Sequence, residues 1–150
     1  MKRYLVYLFF LIFNFHFSCN YPKKKVNKKD NFYTKPGMFD RLRIPLIKPY
    51  DLIKVSDSEW QMDLQTTDLL TLGVDKVKGV AVFKNIILLY SRGGAEVKNK
   101  YADEWWFVIY ADSRKETAFD NYKSFHDTLI KEGIINIVLK DPDQLYNELK

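Results

Sequence analysis

Cysteine is nearly absent from this chain, and Cys19 is the only one among its 150 residues. No internal disulfide can form, and beyond residue 19 there is no thiolate for a metal site or for nucleophilic attack. Histidine is almost as scarce, with only His16 and His126. Beyond residue 19, His126 stands alone, which excludes a two-histidine metal site. A Ser-His-Asp set would have to be built on His126. That residue follows Phe125 in an amphipathic helical stretch and reads as the boundary of a buried face. Neither of the two glycine-rich phosphate loops, G-x-x-x-x-G-K-S/T or G-x-G-x-x-G, occurs among the 6 glycines. There is no internal repeat. The expectation is a non-enzymatic chain without metal or cofactor.

What is present begins at the first residues. Lys2 and Arg3 precede an almost unbroken apolar run, Tyr4 to Phe17, interrupted only by Asn14 and His16. Its 14 residues suit the apolar region of an export signal. A membrane span needs about 20. A core helix of this length would show a polar face, and this run has none. Ser18 and Cys19 follow directly.

A small residue before a lone cysteine, at the end of such a run, resembles the lipobox of bacterial lipoproteins. The sequence departs from that pattern at His16, where leucine is usual, and at Phe17, where a small residue is common. The resemblance covers residues 1–19. It implies a signal peptide over 1–18, diacylglycerol on the Cys19 thiol, and cleavage just before that residue. It also implies a cell-envelope location, on the periplasmic or outer-membrane side. Asn20 is unlike the aspartate that retains some lipoproteins in the inner membrane, which points to the outer membrane. Another kind of cleaved signal, or an uncleaved anchor, stays open. Lys23, Lys24 and Lys25 prefer the cytoplasmic side and would orient an anchor the other way.

The net charge of +5 divides unevenly. Lys2 and Arg3 contribute +2. Residues 20–35 hold six lysines against Asp30, or +5, and residues 36–150 hold 16 basic and 18 acidic side chains, or −2. A nucleic-acid-binding domain concentrates its positive charge on a folded face. Here the lysines lie in a stretch with no apolar periodicity, so nucleic acid is not an expected partner. Residues 19–37 read as a lipidated basic tether, solvated or lying against anionic headgroups. As a coil, residues 20–37 would reach roughly 25 Å.

Residues 38–150 suffice for one core. Pro45 and Pro49 keep 38–49 extended. Leu52–Val55 predicts a strand and Ser56-Asp57-Ser58 a turn. Trp60, Met62 and Leu64 then alternate with polar residues, as in a half-buried strand. Val77–Phe83 and Ile86–Tyr90 predict a hairpin around Lys84-Asn85. Ser91–Asp103 predicts a polar loop holding Gly93 and Gly94. Glu104–Tyr110 is rich in aromatic and β-branched residues and predicts a strand apolar on both faces. Ser113 and Glu116 have capping-box spacing, which predicts a helix carrying Ala118, Tyr122, Phe125 and Leu129 and stopped at Gly133. Ile134–Leu139 predicts a buried strand. Asp141-Pro142 opens a last helix, with Leu145 and Leu149 on its apolar side. The expected fold class is α+β: a single small domain, with a largely antiparallel sheet and two C-terminal helices.

A strand apolar on both faces must be covered twice or present a surface to a partner. Tyr101, Trp105, Trp106 and Tyr110 are therefore the expected binding surface, unless they are core. Arg92 and Lys98 would supply positive charge at the rim. Aromatic side chains dominate binding hot spots. The partners expected are membrane lipid, through Cys19, and an envelope protein. The expected function is a membrane-anchored lipoprotein with a non-catalytic protein-binding domain, in an envelope-assembly or immunity-type role. The alternative is a small-ligand or glycan-binding envelope module, its ligand stacked on Trp105 or Trp106. A third reading is an enzyme using paired carboxylates among Asp103, Glu104, Asp112 and Asp120.

Overall fold

A computed structural model describes residues 31–34 and 41–149. The expected signal, Cys19 and most of the expected tether lie outside the described residues. Asn31–Thr34 is a single helical turn, α1. The Arg43 guanidinium donates to the Phe32 carbonyl at 2.5 Å and lies 4.6 Å over the Phe32 ring. Phe32 is therefore held against the domain.

Among the described residues, eight strands form two antiparallel meanders of four. The first sheet runs β1 (Arg43–Pro45), β2 (Asp51–Ser56), β3 (Glu59–Asp63), β4 (Gly73–Val74). The second runs β5 (Val77–Phe83), β6 (Ile86–Val97), β7 (Lys100–Tyr110), β8 (Lys115–Phe119). Helices α2 (Tyr122–Lys131) and α3 (Pro142–Glu148) complete the domain. The class is α+β, a small single domain with two C-terminal helices, as the element pattern predicts.

Period-two alternation builds the core between the sheets. Ile44, Leu52, Trp60, Met62 and Val74 point inward from the first sheet. Val80, Ile87, Leu89, Trp105, Phe107 and Ile109 meet them from the second. On the other face of the second sheet, Leu88 and Val108 pack beneath Phe125 and Leu129 of α2 and beneath Ile134. The second sheet is thus covered on both faces, which is why β6 and β7 tolerate apolar residues throughout.

Four local expectations need correction. The expected loop 91–103 is instead the far half of the β6–β7 hairpin. Gly93 and Gly94 stand opposite Asp103 alone, between the Arg92↔Glu104 and Ala95↔Ala102 pairs, and form a bulge. Pairing resumes and closes at Lys98-Asn99, both left-handed at φ 53 and 60°, as a type I′ turn requires. At the β5–β6 turn, Lys84 rather than Asn85 takes the positive φ, 52°. The helix expected behind a Ser113 cap begins eight residues later, behind Asn121. Residues 115–119 pair with Tyr110–Trp106 of β7 instead, satisfying an edge that would otherwise be open. Asn121 caps α2, its side chain accepting from the Ser124 N–H at 2.9 Å. Residues 134–139 are not a strand: Asn136 adopts φ 63°, and Ile135 and Val138 face outward.

Candidate functional site

β5 is an outer strand of the second sheet. Gly79 lets a second segment approach it closely, since a Cβ there would meet the Leu139 Cβ at 3.0 Å. Residue 140 then bridges to the strand: Lys140 N–H donates to the Val80 carbonyl, and Val80 N–H to the Lys140 carbonyl, each at 2.9 Å. Asp141 turns the chain into α3, accepting from the Asp143 and Gln144 N–H groups with Pro142 in the first turn. Asp143 in turn accepts from Lys54 Nζ at 2.7 Å and from Trp60 Nε1 at 3.0 Å. The Lys54 ammonium, with burial opposing it and the Trp60 N–H assisting, holds the Asp143 carboxyl below the usual aspartate range. These contacts fix α3 across the end of the sandwich.

On the other side of the Lys140 bridge, 134–139 makes no further pairing with β5. The space left is an open groove of about 260 Å³, lined by Val80, Ala81, Val82, Ile137, Val138 and Leu145, with Lys140 at its end. Val82 is 46 % exposed and Val138 76 %. Alternation places the Val82 N–H and C=O on the same outer edge as those of Val80. The two-residue turn agrees, because its closing pair, Phe83↔Ile86, is turned toward β6. Lys140 lines the groove, and Lys78 and Lys84 stand on β5 and in its turn, all three exposed. Lys140 pairs with Glu148 at 2.6 Å, Lys78 donates to the Ser58 carbonyl at 3.3 Å, and the Lys84 ammonium lies 5.1 Å from the Phe83 ring. Among the described residues, neither Lys78 nor Lys84 has an ion-pair partner.

The aromatic surface expected from sequence is divided. Trp105 is 5 % exposed, faces the first sheet and donates through Nε1 to the Ala95 carbonyl at 3.0 Å. It belongs to the core, because the first sheet covers that side of β7. Trp106 faces the opposite way, half-buried, with Tyr90 stacked at 5.2 Å and Tyr122 edge-on at 6.2 Å. Its ring is thus already engaged by two of the domain's own aromatic side chains. Tyr110 donates to Glu132 at 2.7 Å; burial first, then Glu132, pushes its phenol up to about 12. Tyr101 is exposed, its hydroxyl poised over Gly94. Arg92 is exposed beside Glu104 at 3.4 Å, and Glu104 also accepts from the Tyr90 hydroxyl. Lys98 sits in the hairpin turn, its N–H donating to the Leu69 carbonyl at 2.9 Å. The structure brings Arg92, Glu104, Tyr90 and Trp106 together and leaves Trp105 and Tyr110 apart from them.

The candidate carboxylates take separate partners. Asp103 is exposed on β7, Asp112 accepts from Asn85, and Asp120 pairs with Lys100. His126 is exposed on α2 beside Tyr122. Among the described residues the one deeply buried carboxylate is Glu116, which its capping-box spacing had put at a helix start. It accepts from the Tyr50 hydroxyl, the Gln65 and Thr66 N–H groups and the Thr66 hydroxyl. Burial and then Glu116 push the Tyr50 phenol up. All four donors come from loops of the first half, so Glu116 fastens the second sheet to them. A second, polar cavity of about 220 Å³ lies at the Gly93-Gly94 bulge, between Asp75, Ser91 and Glu96.

The β5 groove was also missed, because 134–139 reads in sequence as one more buried strand. A signal for it existed in the lysines flanking β5, which are a usual mark of an exposed sheet edge. Comparison of the chain with protein-family models, curated proteins and solved structures finds no match.

Proposed function

We propose that this chain is a lipid-anchored envelope protein whose domain binds another protein without catalysis, through the groove beside β5. The observation that carries the reading is the pairing of exposed apolar side chains, Val82 and Val138, with an open strand edge in one groove. Exposed apolar surface bordered by charge is the usual make-up of a protein contact. The anchor rests on the apolar run and Ser18-Cys19, and the 11 residues 20–30 before the docked turn, as a coil, would hold the domain within roughly 18 Å of the bilayer. Stacking of a glycan on tryptophan is less well supported, since Trp105 is buried and Trp106 is already stacked on Tyr90 with Tyr122 edge-on.

The test is site-specific photocrosslinking in intact cells. A photoreactive side chain at Val138 should give a discrete adduct that disappears in Val82→Asp. The same group at Leu72, exposed but outside the groove, should give none. Equal labelling from both positions, or none from Val138, would overturn the proposal.

A further inference from the structure

Alternation across the first sheet puts Arg43, Ile53 and Gln61 in one row on its outer face, since Ile44, Leu52, Trp60 and Met62 point into the core. The Arg43 guanidinium pairs there with Asp51 and holds Phe32, through the Phe32 carbonyl and across its ring. The turn α1 is therefore fixed outside the first sheet, at its β1 edge. The layers stack in a set order: α1, first sheet, second sheet, α2. Only the 11 residues 20–30 separate α1 from Cys19, and as a coil they span roughly 18 Å. A domain of this size has a radius of gyration of about 13 Å and is about 34 Å across. The tether's usual extent is thus about half the width of the domain, too short to bring α2 to the membrane. Without the Phe32 clasp the free chain would run over residues 20–40, span roughly 25 Å, and let the domain turn. Lys23, Lys24, Lys25, Lys28 and Lys29 draw the tether onto anionic headgroups. Glu59 and Asp63 flank Gln61 on the outer face and keep the sheet itself from settling into such a surface.

Resting on the membrane-anchored part of the reading above, we infer that the Arg43–Phe32 clasp orients the domain, with the outer face of the first sheet toward an anionic lipid surface and α2 away from it. The orientation is the same whether lipid on Cys19 or the apolar run before it holds the chain, because both leave the bilayer at about residue 19. The open edge of β5 lies at the side of this stack and so points along the membrane plane.

The experiment places the full chain, extracted from membranes, in nanodiscs of phosphatidylethanolamine and phosphatidylglycerol that carry a trace of gadolinium-chelating lipid. Amide NMR then reads the paramagnetic relaxation at each backbone N–H, an effect that falls steeply with distance from the headgroups. For a domain about 34 Å across, the Ile53 and Gln61 amides are expected to relax at least about tenfold faster than those of Asp127 and Ile130, on the exposed side of α2. Phe32 belongs to neither core cluster, so Phe32→Gly should keep the fold while it opens the clasp. With the longer tether the ratio should drop to about twofold or less. A chain that stays with the disc but relaxes both sets of amides alike overturns the inference and leaves the anchor in place. So does a ratio that Phe32→Gly does not change. A chain that leaves the disc overturns the anchored reading and the inference with it.

Discussion

At Glu116 one carboxylate completes four hydrogen bonds inside the domain, and no buried side-chain polar atom among the described residues lacks a partner. Glu116→Ala leaves the Tyr50 hydroxyl and the Gln65 and Thr66 N–H groups without an acceptor. A buried group stripped of its partner costs about 1–3 kcal/mol, so the variant is expected to lose about 3 kcal/mol in denaturant unfolding. Glu116→Gln keeps the shape but turns an NH₂ toward donors, and should lose about half as much. An unchanged midpoint in both variants would contradict this role. The residue also shows where local reading ends. The Ser113-to-Glu116 spacing fits a helix start, and only the distant Tyr50 and Thr66 decide that Glu116 points into the interior of a sheet. Trp105 and Trp106 teach the same lesson. Alternation told that they face opposite ways, but not which face the domain itself would cover.

Among the elements, those with strong alternation or cap chemistry were legible. The β2–β3 hairpin, β5, the apolar half of β7, and α3 with its Asp141-Pro142 start all follow from the chain. Elements decided by tertiary pairing were not. β8 exists because β7 needs a neighbour, the Gly93-Gly94 bulge lets β6 continue where glycines suggested a loop, and Asn136 bends an otherwise strand-like segment outward. The Ile137–Val138 wall of the groove was illegible for that last reason. α3 owes its position to Asp143, which yields a prediction about pH. Its carboxyl is held below its ordinary value in the folded state, so its stabilising effect is fully present above about pH 4. That effect is lost as the pH falls through the depressed value. Wild type should melt at a higher temperature than Asp143→Asn at pH 7, and the gap should close as the solution is acidified. A gap that persists in strong acid would show that the asparagine acts by some other route.

The whole molecule is a double-sheet body whose second sheet is enclosed by the first sheet on one side and by α2 on the other. That enclosure moves the site of interest from the broad aromatic face to the β5 edge. Among the described residues no helix is long and apolar enough to cross a membrane. The proposed attachment therefore rests on the first 19 residues, and the compartment of any partner follows from it. The most direct measurement is the intact mass of the N-terminal peptide of membrane-extracted protein, for wild type and Cys19→Ala. The expected result is a chain beginning at an acylated Cys19, with the variant retained as uncleaved precursor. An unmodified chain still beginning at Met1 would contradict it. It would also place the partner on the other side of the membrane.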